Sequence, residues 1–418
     1  MNNNGINKVL IGVFVFFLPF HYALTFNIGF PLKISEIAGF VLILLNINTI
    51  KNELFKFKQI ETAFLVFLLW TIISFSLNIY SLQNLSSNVP SRFGHLLDST
   101  FKLIYLIFVF LFFVLANSNI FKKVEEWNKN LFLLGLATSC LYAWYLAILS
   151  IQNIEPFLLP GMDAFPQHTL FSVGHYIRCG TFKEGNHYAL LLLIGLFVAY
   201  NNKNWIFAVL FCVTIILTVS TMAIVCMFIF SIIIILKFLL KLKAGWVYIV
   251  IFSLLSIFSL YKLKNQKDID LLITQKIIPK ENTDYSKDWG SFSRKQRLNY
   301  LNVAYKIANS HPFYGVGISN YSLYYDKYNT FDESKIIKNE PFKRIVNNIY
   351  FEILAEQGYI GLIIFFGFCY ILIKNSNLKV EISLILLYFF TYPSLTVLFV
   401  FYYFSLTTNK FQISETEN

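Results

Sequence analysis

Long apolar segments recur along almost the whole chain, and they restrict its possible folds more than any other feature. A helix needs roughly 20 apolar residues to cross a bilayer. Such segments fall near residues 8–25, 33–50, 60–79, 101–117, 131–152, 186–200, 204–221, 222–240, 246–263 and 348–374, with a last apolar stretch at 380–406. Hydrophobic residues make up 56% of the 418 positions, more than a soluble domain could cover with polar surface. The sequence therefore predicts an all-α, polytopic transmembrane protein with about 11 or 12 spans.

Short lysine-bearing loops between the segments predict the orientation of the chain. Cytoplasmic loops of membrane proteins carry an excess of lysine and arginine. A cytoplasmic N-terminus places these loop lysines on one side: Lys51, Lys56, Lys58, Lys122, Lys123, Lys203, Lys237, Lys241 and Lys243. The same pattern accounts for much of the net charge of +11, so we do not expect nucleic-acid binding. Two long loops then face the other side, and the second is expected to be partly helical.

These loops divide the chain into four regions. We expect a transmembrane bundle of about nine spans at 1–263, which includes the first long loop at 153–185. A large periplasmic loop follows at 264–346, then C-terminal transmembrane helices at 347–406 and a polar tail at 407–418. Pro393 makes the last apolar stretch either one kinked span or two short half-spans that turn back, and Lys410 favours two. The five cysteines lack the spacing of a disulfide framework or a metal site.

A polar cluster at the start of the sixth predicted span is the first candidate for chemistry. Arg178, Glu184, Asn186 and His187 lie close together at the membrane surface, among glycines that permit tight turns. Arginine at this depth suits a phosphate or pyrophosphate, because its fork donates two hydrogen bonds and keeps its charge. The equally weighted alternative is that Arg178 and Glu184 pair with each other as a structural clamp.

A second candidate is the longest polar passage, Arg297 to Gly361. The second long loop offers five basic residues around a glycine turn at Gly315 and Gly317, which indicate an anion-binding surface; they are Arg294, Arg297, His311, Lys343 and Arg344. Arg344, Asn348, Glu352 and Glu356 then recur every four residues, so they share one helix face. Carboxylates that enter a bilayer must lie against polar groups. The alternative is that Glu352 and Glu356 pair with loop arginines as structural links.

Three motifs stand out along the chain: HPFYGVGISNY at 311–321, NNIYFEILAEQGYIGL at 347–362 and RCGTFKEGN at 178–186. Together they resemble motifs of the O-antigen polymerase and O-antigen ligase superfamily of bacterial inner-membrane glycosyltransferases. Arg297 also stands where the family has an arginine upstream of the glycine turn. The resemblance implies transfer of a glycan from polyprenyl pyrophosphate to an acceptor sugar at the periplasmic face of the inner membrane. No metal and no cofactor are implied.

The resemblance also implies partners and roles for named residues. The partners are a polyprenyl-pyrophosphate-linked oligosaccharide, membrane lipid and a chain-length regulator protein. The expected substrate- and pyrophosphate-binding residues are Arg178, Arg294, Arg297, Arg344, Asn347 and Asn348. The base that takes the acceptor proton is one of four residues, which the sequence does not rank: His311, Glu184, His187 and Glu352.

Two departures from the family pattern bear on which reaction is expected. Asn347 replaces the histidine that begins the helix motif in the ligase branch, and it cannot act as a base. An arginine expected just after Ser220 is also missing. Both departures favour a polymerase of surface polysaccharide. The alternatives are a ligase that transfers polymer to lipid A–core and, from a different class, a transporter or flippase of lipid-linked oligosaccharide.

Overall fold

The computed structural model describes residues 3–27, 31–56, 58–84, 89–91, 93–162, 167, 176–240, 289–331 and 343–408. The predicted span at 246–263 lies outside these residues, as do parts of both predicted loops. The helices are α1 (Asn3–Phe17), α2 (Ile34–Leu45), α3 (Ile47–Leu54), α4 (Gln59–Asn84), α5 (His95–Ala116), α6 (Asn119–Lys122), α7 (Glu125–Ile151), α8 (Gly185–Asn201), α9 (Trp205–Thr218), α10 (Thr221–Leu239), α11 (Trp289–Ser310), α12 (Tyr321–Tyr328), α13 (Ile349–Lys374), α14 (Lys379–Tyr388) and α15 (Leu398–Thr408). A small antiparallel hairpin joins β1 (Thr25–Asn27) to β2 (Pro31–Lys33), with Phe26 opposite Leu32.

The helices confirm an all-α protein that crosses the membrane several times. Five of them, α4, α5, α7, α10 and α13, are long and apolar enough to span a bilayer, and α2 with α3 makes a sixth candidate bent by 75°. Within the described residues, the helices that meet both criteria are therefore fewer than the roughly 11 or 12 predicted spans. The predicted spans at 186–200 and 204–221 form the shorter apolar helices α8 and α9, of 17 and 14 residues.

The C-terminal apolar stretch forms two short helices in the middle of the bundle. A 3-10 turn at Phe389–Thr391 and non-helical residues 392–397 separate α14 from α15. The Asn377 N–H lies 3.4 Å from the Thr407 carbonyl, so the stretch starts and finishes at the same end of the bundle. Residues 398–404 are all buried, and Phe401 stacks on Phe64 with ring centroids 4.8 Å apart. A helix that is apolar on every side belongs in such a core.

Helix α13 is broken at Gly358, and the glycine turn from the preceding loop covers the break. Gly358 has a φ of +71°, a left-handed value that interrupts the helix. The Glu356 carbonyl beside the break accepts a hydrogen bond of 2.8 Å from the Gly317 N–H, and the Ser74 hydroxyl lies 3.1 Å from it. A Cβ on Gly315 would come within 2.4 Å of the Glu356 carbonyl carbon. The turn and the break are therefore one structural unit, which requires glycine at the contact.

The segment before α8 is fixed against the end of α1. The Thr181 carbonyl accepts a 2.9 Å hydrogen bond from the Tyr22 N–H, and the Thr181 hydroxyl donates to the Pro19 carbonyl. Gly180 has a φ of +54°, and a Cβ there would meet the Tyr188 ring at 2.6 Å. These contacts hold the polar residues that begin α8 at one end of the bundle, which we call the site end.

Candidate active site

A cavity of about 290 Å³ lies at the site end of the bundle, where α5, α8 and α13 begin. We call it the carboxylate cavity. Its lining brings together residues far apart in the sequence: Lys102, His187, Ser319, Tyr321, Ser322, Lys343, Arg344, Ile345, Val346, Glu352, Glu356, Pro393 and Ser394. Pro393 and Ser394 come from the non-helical connection between α14 and α15. Irregular backbone at membrane depth is tolerated where it lines a cavity.

An ion pair between Lys102 and Glu352 is the strongest polar contact of the cavity. The Lys102 Nζ lies 2.6 Å from the Glu352 Oε1, and the Glu352 side chain is 9% exposed. Glu352 thus pairs with a lysine of α5. The alternative prediction from the sequence was a pair with a loop arginine. Sequence reasoning missed Lys102, although a solitary lysine inside a predicted span was a usable signal, because intramembrane charges usually face a partner.

Glu356, one turn further along α13, has a structural role. Its Oε1 accepts a 3.3 Å hydrogen bond from the Tyr321 N–H at the start of α12. Its own carbonyl belongs to the contact with the glycine turn. Glu356 therefore ties the loop helix α12 to the broken membrane helix.

Two cations of the second loop lie on the rim of the carboxylate cavity. The Lys343 Nζ donates to the Ser319 hydroxyl at 3.0 Å. The Arg344 guanidinium lies 4.6 Å from the centre of the Tyr325 ring and 3.5 Å from the Asp326 carboxylate. The Arg344 side chain thus packs against α12, with its guanidinium over the face of the Tyr325 ring.

His187 lines the cavity from the first turn of α8. Its ring packs on Tyr392 with centroids 4.8 Å apart, and its Nε2 lies 3.9 Å from the Glu184 Oε2. That Nε2 is buried, and no described residue forms a hydrogen bond with it. Glu184 is more open, with 45% of its side chain exposed, and it is not among the described lining residues.

Arg178 and Arg297, one from each long loop, influence each other through their charges. Burial is the main cause of a lowered pKa for Arg178, and the second cause is the positive charge of Arg297. The Arg178 Nη1 donates to the Thr218 carbonyl at the end of α9, 3.3 Å away, and forms no ion pair with Glu184. The structural clamp of Arg178 with Glu184 is therefore not formed. The positive charge of Arg297 acts on Arg178 instead, and neither arginine is among the described lining residues of the carboxylate cavity.

Backbone geometry explains two other predicted residues, Asn348 and Asn347. The Asn348 side chain caps α13, because its Oδ1 accepts a 3.2 Å hydrogen bond from the Phe351 N–H. Asn347 has a left-handed φ of +54°. Asparagine and histidine are both enriched at left-handed positions. Asparagine in place of the family histidine therefore permits the same backbone conformation.

His311 and Arg294 lie apart from the described lining of the carboxylate cavity. The His311 ring meets the Tyr324 ring edge-on at 5.5 Å, and burial followed by the charge of Lys327 lowers the His311 pKa. Arg294 is half-buried on α11. The structure thus places His187 and Glu352 in the lining of one cavity, whereas His311 is not among its described lining residues.

Comparison with known families gives one match. Residues 206–366 match the model of a family described as O-antigen ligase. The match includes α9, α10, the glycine turn and the first part of α13, and it leaves out Arg178, His187 and Lys102. No curated protein matches the chain.

Proposed function

We propose that the chain is a polysaccharide polymerase of the O-antigen polymerase and O-antigen ligase superfamily, since residues 206–366 match the model of a family described as O-antigen ligase. It would join polyprenyl-pyrophosphate-linked repeat units at the periplasmic face of a bacterial inner membrane. The observation that carries the proposal is the approach of Arg178 to Arg297 at the same end of the bundle as a buried carboxylate, Glu352. Paired arginines suit a pyrophosphate, and the carboxylate suits the proton of an acceptor hydroxyl.

The proposed reaction is a single displacement at the anomeric carbon of the donor chain. A hydroxyl oxygen of the acceptor sugar forms a bond to that carbon, and the bond from the carbon to the pyrophosphate oxygen breaks. The electron pair of the broken bond leaves with polyprenyl pyrophosphate. Arg178 and Arg297 stabilise the negative charge that develops on this leaving group.

Glu352 is the residue to which we assign the acceptor proton. It lines the carboxylate cavity, whereas His311 and Glu184 are absent from its described lining. The Lys102 Nζ, 2.6 Å away, favours the ionised carboxylate, which is the form that accepts a proton. His187 faces the same cavity and is placed to hold the acceptor hydroxyl.

The proposal is tested by reconstitution of the purified protein with a lipid-linked repeat unit. We expect polymer and free polyprenyl pyrophosphate to form together, without a second protein. Glu352→Gln should slow the reaction by about 10²–10⁴-fold, the usual contribution of a general base. Glu356→Gln is the matched control, because glutamine keeps the acceptor for the Tyr321 N–H. Wild-type activity of Glu352→Gln would remove Glu352 from the mechanism.

A ligase is the second candidate, because the matched family is described as O-antigen ligase. A ligase would use the same leaving group but transfer finished polymer to lipid A–core. Gene deletion and electrophoresis of lipopolysaccharide separate the two. Loss of a polymerase leaves core capped with one repeat unit, whereas loss of a ligase leaves bare core. An unchanged ladder and capsule would contradict both functions.

A further inference from the structure

Tyr388, the last residue of α14, has a hydroxyl that joins two elements of the candidate site. The Tyr388 Oη donates a 2.8 Å hydrogen bond to the Asn186 carbonyl in the first turn of α8. The Ser220 hydroxyl, in the turn between α9 and α10, lies 2.9 Å from the same oxygen. Ser220 is the donor of this second bond, because the tyrosine proton is used on Asn186. Both side chains are buried, so water does not compete for either bond.

The Arg178 side chain lies at the contact between these two elements. Its Nη1 donates to the Thr218 carbonyl, 3.3 Å away, at the end of α9. Its Cγ lies beside Gly185, the first residue of α8: a Cβ on this glycine would come within 3.4 Å of the Cγ and within 3.0 Å of the Thr218 oxygen. The position of the guanidinium therefore depends on how the start of α8 is held against the turn between α9 and α10.

The turn between α9 and α10 has an unusual backbone that neighbouring groups must hold in place. Val219 has a left-handed φ of +52°, a conformation that is rare for a β-branched residue. Such a residue persists only where the surrounding structure fixes it. The Ser220 bond to Tyr388 contributes one such contact, and the Tyr176 hydroxyl, which donates to the Leu217 carbonyl at 3.0 Å, contributes another.

We propose that Tyr388 is a positioning residue of the polymerase reaction and acts through Arg178. Its two hydrogen bonds hold the start of α8 against the turn that accepts the Arg178 guanidinium, so that this cation is fixed where the pyrophosphate leaves. The inference rests on the proposed function, which assigns Arg178 to that leaving group. Tyr388 lies outside residues 206–366, which match the family model.

Steady-state kinetics of the reconstituted full-length protein with a lipid-linked repeat unit test the inference. Tyr388→Phe removes the hydroxyl and keeps the ring. It should reduce kcat about tenfold or more, because a misplacement of about 1 Å can cost 10²-fold in rate. Wild-type kcat for this variant would overturn the inference.

Tyr350→Phe is the matched control. The Tyr350 side chain is also buried, and its hydroxyl donates a 2.7 Å hydrogen bond to the Leu386 carbonyl, which joins α13 to α14. Each variant loses one buried hydroxyl that donates to a carbonyl, so both should lower the unfolding temperature by similar amounts. Only Tyr388→Phe should lower kcat. Equal losses of kcat in the two variants would show a general effect of packing and would overturn the inference.

A double-mutant cycle with Arg178 distinguishes positioning from a purely structural role. In the Arg178→Ala background, Tyr388→Phe should cause no further loss of kcat, because the group that it positions is gone. Losses that multiply would overturn the inference. Ser220→Ala removes the other end of the bridge and should behave in the same way, so it provides the test if Tyr388→Phe does not fold.

The same cycle separates a failure of this inference from a failure of the proposed function. Wild-type kcat of Arg178→Ala would contradict the pyrophosphate clamp, and with it any positioning role of Tyr388. An impaired Arg178→Ala together with wild-type kcat of Tyr388→Phe would contradict the positioning role alone.

Discussion

The two halves of the candidate site handle charge in opposite ways. On one side, Lys102 and Glu352 neutralise each other at 2.6 Å within the membrane helices. On the other side, Arg178 and Arg297 lie close enough for one positive charge to lower the pKa of the other. A neutralised pair is complete without a ligand, whereas two cations that repel each other gain from a bound anion. The difference predicts that loss of one partner of the first pair lowers stability as well as activity, whereas loss of either arginine weakens substrate binding and leaves stability unchanged.

The largest expected effect is on stability, from Lys102→Met. Loss of the lysine leaves the Glu352 carboxylate unpaired and buried, which should lower the free energy of unfolding by roughly 3 kcal/mol. The double variant Lys102→Met with Glu352→Gln should recover most of that loss, since no unpaired charge remains. Thermal unfolding in detergent measures both. A double variant as unstable as the single one would show that the pair is not the source of the effect.

Substitution of either arginine should reduce activity and leave the stability of the protein unchanged. Arg178→Ala and Arg297→Ala should each reduce chain extension by about 10²–10³-fold, the usual contribution of a group that stabilises developing negative charge. Protein level and membrane insertion should stay normal. The glycan ladder of complemented deletion cells, with immunoblots of the same membranes, measures both quantities. Wild-type ladders from both variants would eliminate the pyrophosphate clamp.

Gly315→Ala, a substitution in the glycine turn, tests whether the contact between this turn and the break in α13 stabilises the protein. Gly315→Ala should destabilise the protein by about 1–3 kcal/mol, because Gly315 has a φ of +65° and its Cβ would meet the Glu356 carbonyl carbon. Gly367→Ala is the control within α13, where a Cβ meets nothing within 4 Å. It should be neutral or slightly stabilising. Similar unfolding temperatures for the two variants would contradict the interlocked turn.

The smallest expected effect is that of Asn347→His, which restores the residue of the ligase branch. Histidine accepts the left-handed backbone at this position, so folding should be unchanged. With Glu352 as the base, the polymerisation rate should stay close to that of the wild type. A large gain in transfer to lipid A–core, seen on the same gels, would instead identify residue 347 as the determinant of the reaction.

The sequence by itself determined the fold class, since apolar segments long enough to span a bilayer leave few alternatives to membrane helices. It also singled out Arg178 and Arg297 as candidate pyrophosphate-binding residues, through their place in motifs that resemble the family. Motif spacing further identified the glycine turn. The length of apolar segments, the position of charged residues and the spacing of motifs depend only on neighbouring residues, so they can be read from the sequence alone.

Only the tertiary structure decided which groups meet. Lys102 and Glu352 are 250 positions apart, and the turn at Gly315 closes a helix break more than 40 residues later. The central position of α15 likewise follows from helix packing. In a membrane all spans are apolar, so hydrophobicity alone does not specify which faces pack together. Close contacts and paired charges select that arrangement.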